Sequence, residues 1–524
     1  MRDVLLTAPP GCGKTHHLAH LVESLLSRGL VTAPQQVLAV TFSTKARSNL
    51  RSRIHEITSR SQRRRCYVAN FHGMSYRLYR AHGATLGLDP SALLPQPGWL
   101  AQHRAAVARE HGANRYDLKD NIDVAKAGAF DQDETMDRLL HFAGQAGVAY
   151  ERGLRLANRL DYSDAIRHAV RLLEVEEIAR LYQSRFPVVV VDECQDLTRL
   201  QFALAERLSG QALILAGDEA QGIYGFAGAD AEWTYGRMLE RAPLEIRLDT
   251  SYRSSPAVLR VVSAVAAELG GQELQCADPS AWPGCGSAQT LRFPDTWVEA
   301  DCILELAIAD VRANPQASVA IMARTGWRRR EVEEAARSAG LAFELWDYPV
   351  HRPRVVQLLR KHLQTALLRH ESDRERLDEL FLLCFEECGQ DDVDTEDDLN
   401  HAVESLEELL GTAPLEQIVN EIRTSADDEV PVSPGLHFLN GHTCKGQQFD
   451  HVYVLGLEED VLPDYRSSQD ADKLTEELAV LHVMVSRARQ SLTVTCTRDV
   501  RRYVDSRWLR APSRWFGLIA EMCD

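Results

Sequence analysis

The sequence predicts an α/β protein made of two doubly wound parallel-sheet units, each interrupted by a mainly helical insertion. Three observations carry this expectation. Short apolar runs such as Val4-Leu5-Leu6, Val188–Val191 and Ala212–Ala216 alternate with amphipathic helical stretches, the pattern of buried parallel strands joined by crossover helices. Each run delivers polar or glycine-bearing residues at its C-terminal end, where sheets of this kind build their sites. Two stretches, 81–160 and 346–434, break the alternation and read as helices without strands.

Taken in order, the first unit is expected from residues 1–80 and 161–245. Val4–Leu6 is its first strand, followed by a glycine-bearing loop and a helix through Leu18 and Val22. Gln36–Phe42 is the next strand, and a helix from Ser43 runs through Leu50, Ile54 and Ile57 at helical spacing. Ser61–Arg65 reads as a solvated basic link, Cys66–Ala69 as a short strand, and Asn70–Met74 as the start of a helix. After the insertion at 81–160, Asp161 opens a helix running towards Tyr182. A second unit of the same type is expected from 246–345 and 435–524, starting near Ile246-Arg247-Leu248, with strands at Val319–Ala323 and His451–Leu455. Its insertion, 346–434, carries an acidic tract, Asp391–Asp398, expected to be solvated.

At 524 residues the chain is long enough for several cored domains, and 45% hydrophobic with 26% charged residues is an ordinary globular balance. A formal charge of −17 argues against a broad nucleic-acid coat and leaves room for a local basic groove. No apolar run reaches membrane-spanning length, and Val4–Leu6 leads straight into the glycine loop, so neither a membrane span nor a signal peptide is expected. The eleven cysteines are scattered. Cys384 and Cys388 share a helix face with no second pair at metal spacing, which disfavours zinc and suits a reduced, cytoplasmic compartment.

The chemistry begins at Ala8-Pro9-Pro10-Gly11-Cys12-Gly13-Lys14-Thr15. A strand, a loop with two glycines and a helix start form a phosphate cradle. The glycines let backbone N–H groups turn inward, Lys14 reaches the β- and γ-phosphates, and the Thr15 hydroxyl serves Mg²⁺. Ala8 stands where the usual pattern has its first glycine. Asp192-Glu193, at the end of an apolar strand, supplies what the loop lacks: one carboxylate for Mg²⁺ and one to take a proton from the attacking water.

Seven further segments, in this order, resemble the UvrD/Rep-type superfamily 1 DNA helicases. Val40–Ala46 is similar to motif Ia, Asn70–Gly73 to Ib, Asp192–Asp196 to II, Gly217–Asp230 to III, Leu248–Ser254 to IV, His442–Asp450 to V and Glu476–Ala488 to VI. The resemblance implies two RecA-like motor domains, with insertions at the places called 1B and 2B. It implies ATP and Mg²⁺ as cofactors and single-stranded and tailed duplex DNA as partners. By position it makes Glu193 the general base, Gln221 the γ-phosphate sensor, and Arg253 and Arg487 the arginines reaching that phosphate from the second motor. Thr15 and Asp192 fall on the metal positions. Ala8 through Thr15, His16, Tyr252 and Gln448 fall on the nucleotide positions, Tyr252 stacking on adenine. Thr41, Phe42, Phe71, His72, Tyr224, Phe226, Arg324 and His442 fall on the DNA track, where aromatic faces stack on any base.

The departures touch base recognition or a support contact, and none removes a catalytic group. The family's upstream glutamine motif is not found in Met1-Arg2-Asp3, His16 stands where relatives often have arginine, and Gln448 replaces a ribose-contacting glutamate. Ala227 and Leu478-Ala479 likewise replace arginines. Both insertions are short for the family. That compactness is shared with the helicase-like subunit of Gabija antiviral systems, which acts with a nuclease partner. The leading expectation is a 3′-to-5′ translocase and helicase in DNA repair or defence. The alternatives are a nucleotide-sensing or DNA-stimulated ATPase subunit working beside a separate nuclease, and a degenerate scaffold. Intact Lys14, Glu193, Arg253 and Arg487 weigh against the scaffold.

Overall fold

The computed structural model describes residues 1–41, 44–94, 97–225, 228–346, 353–388, 414–421, 432–468, 470–501 and 507–523, together with 399, 402, 406 and 410. They form two units. One is built from Met1–Ala8 and Lys14–Arg247; the other holds Pro9–Gly13 and most of the chain beyond Arg247.

The first unit is built on six strands, β1 (Val4–Thr7), β2 (Val37–Thr41), β3 (Cys66–Asn70), β4 (Val188–Asp192), β5 (Ala212–Gly217) and β6 (Leu244–Arg247). They lie in the order β3-β2-β4-β5-β1-β6, every pair parallel. The consecutive valines of β4 are fully buried because helices cover both faces, each side chain contributing roughly 1.5–3 kcal/mol of apolar burial. Asp3 ties β1 into place: its carboxylate accepts from the Leu213 amide (2.7 Å) and pairs with Arg241 (2.8 Å).

Three details differ from expectation. Ile246 and Arg247 close the first sheet, in register with Leu6 and Thr7, instead of opening the second unit. The helix from Asp161 is two helices, Tyr162–Leu172 and Glu176–Arg185, because Val175 takes an extended backbone that caps the second. The basic link is partly helical. Arg60–Arg63 forms a turn closed by a capping box, with Ser59 N donating to Gln62 Oε1 (2.8 Å).

The first insertion has its own small core. Helices Pro97–Glu110, Arg115–Ala125 and Gln132–Leu156 bury Leu100, Val107, Leu118, Ile122, Leu139 and Leu154 against one another. At its root lies a buried ionic cluster. Lys126 Nζ is 2.7 Å from Glu151, 2.6 Å from Asp161 and 2.9 Å from Asp164, and Arg167 pairs with Asp164 at 2.8 Å. Glu151 comes from the insertion, whereas Asp164 and Arg167 belong to the helix that comes after it, so the cluster fastens one to the other.

Among the described residues the second unit has nine strands: β7 (Thr250–Ser251), β8 (Gln275–Cys276), β9 (Ser287–Asp295), β10 (Ser318–Ala323), β11 (Phe343–Leu345), β12 (Gly435–Asn440), β13 (Phe449–Leu455), β14 (Ala488–Arg501) and β15 (Arg507–Leu509). β7 and β8 pair with each other. In the larger sheet the order is β11-β12-β10-β13-β14, and β9 and β15 both pair with the long β14. The pairing is parallel except β14 with β15, so this sheet is mixed at one end where a wholly parallel one was expected. Its insertion includes helices Pro353–Arg369, Asp373–Cys388 and Leu415–Glu421, with Leu359, Leu380, Cys384 and Ile418 buried. The acidic tract Asp391–Asp398 lies outside the described residues.

Candidate nucleotide and DNA site

The ends of β1, β4 and β5 build the catalytic part of the first unit. The Ala8 amide donates to Gly217 O (2.9 Å), so the start of the phosphate loop is stitched to the end of β5. Gly11 and Gly13 both take left-handed backbone (φ +80° and +76°), a turn that side chains disfavour and an N–H cradle requires. Lys14 opens the next helix, Lys14–Ser27.

Its ammonium lies 3.2 Å from Asp192 Oδ1 and also pairs with Glu193 Oε2. Burial works against the Lys14 charge, but the two carboxylates outweigh it and hold the ammonium well above the usual lysine range. Burial, opposed by Lys14 and reinforced by the Glu193 charge, pushes Asp192 upward. Glu193 itself sits in left-handed backbone (φ 56°, ψ 47°), a conformation that costs a non-glycine residue about 1–3 kcal/mol.

From Glu193 a chain of hydrogen bonds crosses to β5. Gln195 Nε2 donates to Glu193 Oε2 (2.6 Å), and Gln195 Oε1 accepts from the Asp218 amide (3.1 Å). The Asp218 carboxylate then accepts from Gln221 Nε2 (2.8 Å). Gly217 makes the crossing possible, since a Cβ there would come within 2.4 Å of Gln195 Oε1 and 2.7 Å of Cys194 Sγ. Thr15 is half-buried beside Lys14. His16 is exposed, edge-on to His20 at 4.3 Å, and burial followed by the His20 charge lowers its pKa.

In the second unit Ser486 brings two predicted arginines together. Arg253 Nη1 donates to Ser486 O (3.4 Å) and Arg487 Nη2 to Ser486 Oγ (2.8 Å). Arg487 is only 2% exposed, its guanidinium also donating to Val483 O (2.8 Å) and Gln447 O (3.3 Å). Tyr252 is 72% exposed and Gln448 is exposed.

The predicted DNA-track residues divide. Phe71 is corrected: at 1% exposure it belongs to the first unit's core with Leu38, Leu78 and Val191, so its ring is not a stacking platform. Thr41, at the end of β2, is fully buried. His72, edge-on to Tyr162 at 4.9 Å, and Tyr224 are half-buried. Phe42 and Phe226 lie outside the described residues. Arg324 and His442 are together in the second unit: Arg324 Nη1 donates to His442 Nδ1 (3.4 Å), and Glu477 takes the rest of the guanidinium. Burial, then Arg324 and Lys445, push His442 down to about 4, so its ring is the neutral acceptor this bond needs.

Residues 1–237 match the UvrD/REP helicase N-terminal domain and residues 353–499 the UvrD-like helicase C-terminal domain. The chain belongs to the UvrD/Rep helicase family. Relatives align along nearly its whole length. ATP-dependent DNA helicase UvrD2 of Mycobacterium tuberculosis is 26% identical over 99% of this chain and 79% of its own. DNA helicase II of Escherichia coli is 23% identical over 99% and 86%, and PcrA of Staphylococcus aureus 22% over 94% and 81%. As a UvrD/Rep-family enzyme it is an ATP hydrolase with two RecA-like motor domains. Three positions in this UvrD/Rep chain were given no role by sequence: Gln195, Asp218 and Glu477. Each lies inside a recognised segment, but only the folded geometry shows what it holds.

Proposed function

We propose that this protein is a DNA-dependent ATPase that translocates 3′ to 5′ along single-stranded DNA and separates duplex ahead of it. The observation that carries the reading is the hydrogen-bond chain Glu193–Gln195–Asp218–Gln221, with Lys14 on Glu193. It links the base that activates water to the residue assigned to sense the γ-phosphate.

In this reading Lys14 leaves its carboxylates for the β- and γ-phosphates when ATP enters. Glu193, oriented by Gln195, takes the proton of the attacking water. Arg253 and Arg487 neutralise charge that builds on the transferred phosphoryl group, an effect on the order of a thousandfold or more. The fit of Mg²⁺ rests on Asp192 and Glu193. This carboxylate pair already holds a cation, the Lys14 ammonium, so Asp192 and the Thr15 hydroxyl would hold the metal. Bound there with ATP, Mg²⁺ would neutralise phosphate charge. His72, Tyr224, Arg324 and His442 contact the strand. Helicase-named relatives spanning the chain favour strand separation over a purely regulatory ATPase, and favour DNA maintenance over defence.

The test is ATPase activity with and without single-stranded DNA, beside strand separation on 3′-tailed and 5′-tailed duplexes. Strong stimulation with unwinding of the 3′-tailed substrate supports the proposal. Stimulation without unwinding of either substrate overturns the helicase part and favours an ATPase subunit.

A further inference from the structure

Although the chain carries −17, residues 45–80 hold ten lysines and arginines against one acidic residue, Glu56. Part of this charge gathers at the outer edge of the first sheet around β3, with Arg60 and Arg64 just before that strand and Arg77 and Arg80 on the helix just after it; the sole strand neighbour of β3 is β2 among the described residues. The N-terminal ends of three strands are knotted there by Gln36. Its side chain donates to Arg64 O (3.0 Å), its amide donates to Arg185 O (2.8 Å), and its Oε1 accepts from Arg185 Nε (3.0 Å). Arg77, from the helix Phe71–His82, joins them over the Tyr67 ring of β3, 5.3 Å from its centroid, with Arg185 at 5.7 Å. Arg60, Arg64, Arg77 and Arg80 are exposed. Glu56 pairs with Arg53 (3.0 Å) and so leaves these four.

This edge is at the opposite end of the sheet from Lys14, Asp192 and Glu193, so it is separate from the nucleotide site. A dense basic face on an acidic protein is the electrostatic footprint of a polyanion. Its chemistry narrows the choice. Single-strand binding surfaces rely on aromatic faces open to bases, and here guanidinium groups occupy the Tyr67 ring. What remains is an array of arginine forks, which suits a backbone whose phosphates face outward and whose bases are hidden.

We propose that the β3 edge is a second, sequence-indifferent DNA site that holds the phosphate backbone of duplex DNA. The assignment goes beyond the single-strand track of the proposed function and does not depend on ATP turnover.

The experiment uses the full chain without nucleotide, measuring affinity for a blunt duplex and for oligo-dT across a salt series. The variants are Arg60→Gln/Arg64→Gln/Arg80→Gln and the matching triple Arg→Lys. The glutamine triple is expected to lose at least tenfold in duplex affinity. The slope of log K against log salt should shrink by about 3, one condensed counterion per arginine lost. Oligo-dT affinity should stay within twofold, and the lysine triple, which keeps the charge, within threefold of the parent on duplex. Unchanged duplex affinity in the glutamine triple overturns the proposal and leaves the arginines as guards of an open sheet edge. Equal loss on duplex and oligo-dT overturns it too, since the edge would then extend the single-strand track. Because binding is read without ATP, failure of DNA-stimulated ATPase would sink the proposed function while this comparison still gives its answer.

Discussion

Glu477 grips Arg324 in a fork: Nη2 donates to Oε1 at 2.7 Å and Nε to Oε2 at 3.0 Å. Glu477 lies on the helix Ala471–Val485, which runs directly into Ser486 and Arg487. A residue assigned to DNA is thereby tied to the element that carries a residue assigned to ATP. Glu477→Gln should weaken this charged pair and reduce DNA stimulation of ATPase on the order of tenfold, while KM for ATP stays within twofold. Titrating oligo-dT into a steady-state ATPase assay measures this. Unaltered stimulation would show that the pair is only a structural fastening.

Glu193→Gln should lower kcat by about 10²–10⁴, the usual contribution of a general base. Nucleotide affinity should hold or tighten, because Lys14 loses one of its two anionic partners and is freer to meet phosphate. Single-turnover hydrolysis beside fluorescent-nucleotide binding separates the two effects. A parallel loss of binding would contradict the assigned role.

Gln195→Ala removes a side chain that touches both Glu193 and the Asp218 amide. We expect kcat to drop about tenfold with ATP binding intact, the carboxylate being present but no longer aimed. Gln195→Glu should do worse, placing a second negative charge against Glu193. If alanine at 195 left kcat at the parental level, the bridge would have no catalytic part.

Lys126→Met leaves the buried carboxylates of Glu151, Asp161 and Asp164 without their shared cation. Breaking such a cluster from one side typically costs about 3–5 kcal/mol. The expected readout is a lower unfolding temperature and earlier proteolysis between residues 81 and 160, with ATPase retained at low temperature.

His168 gives a pH signature. Burial, with the Arg167 charge beside it, pushes its pKa down to about 3. In the unfolded chain it takes a proton near pH 6.5, so its contribution to stability is complete above that pH and is lost as the pH falls towards 3. At pH 5.5 the loss is about 1 kcal/mol. Asp161, raised to about 6 by burial and then by the Asp164 charge, binds its proton preferentially in the folded state and acts in the opposite sense between pH 6 and 4. The comparison is therefore wild type against His168→Gln at pH 7.5 and 5.5 by thermal unfolding. The wild type should lose more on acidification than the variant does.

The two sheets were legible because buried parallel strands write themselves as apolar runs: Val188–Val191 and Val319–Ala323 can hardly be read otherwise. β9, β12 and β14 were not anticipated, since Gln289, His437 and the threonines of β14 interrupt the apolar signal while still facing neighbours. Lys14, Asp192 and Glu193 were legible as a set because the chemistry demands those types at strand ends, and the fold brings them within bonding distance. Phe71 misled because a motif position says nothing about which way a ring turns; one helical step decides between core and track. Gln195 and Glu477 were invisible for a related reason: their partners, Asp218 and Arg324, are distant in sequence and meet them only after the strands align.

β1 has a further consequence for biogenesis. It carries the phosphate loop at its end, yet both of its neighbours are made long after it, Val4 pairing with Ile214 and Leu244. At about 5–20 residues per second, a nascent chain waits roughly 10–50 s between displaying Val4-Leu5-Leu6 and completing β6. Until β5 emerges an apolar strand lies open on both edges, and the edge that takes β6 stays open until residue 247, well after the helices of 97–156 have been translated. Chaperone capture of the emerging chain, and sensitivity of yield to translation speed over residues 160–247, are written into the strand order.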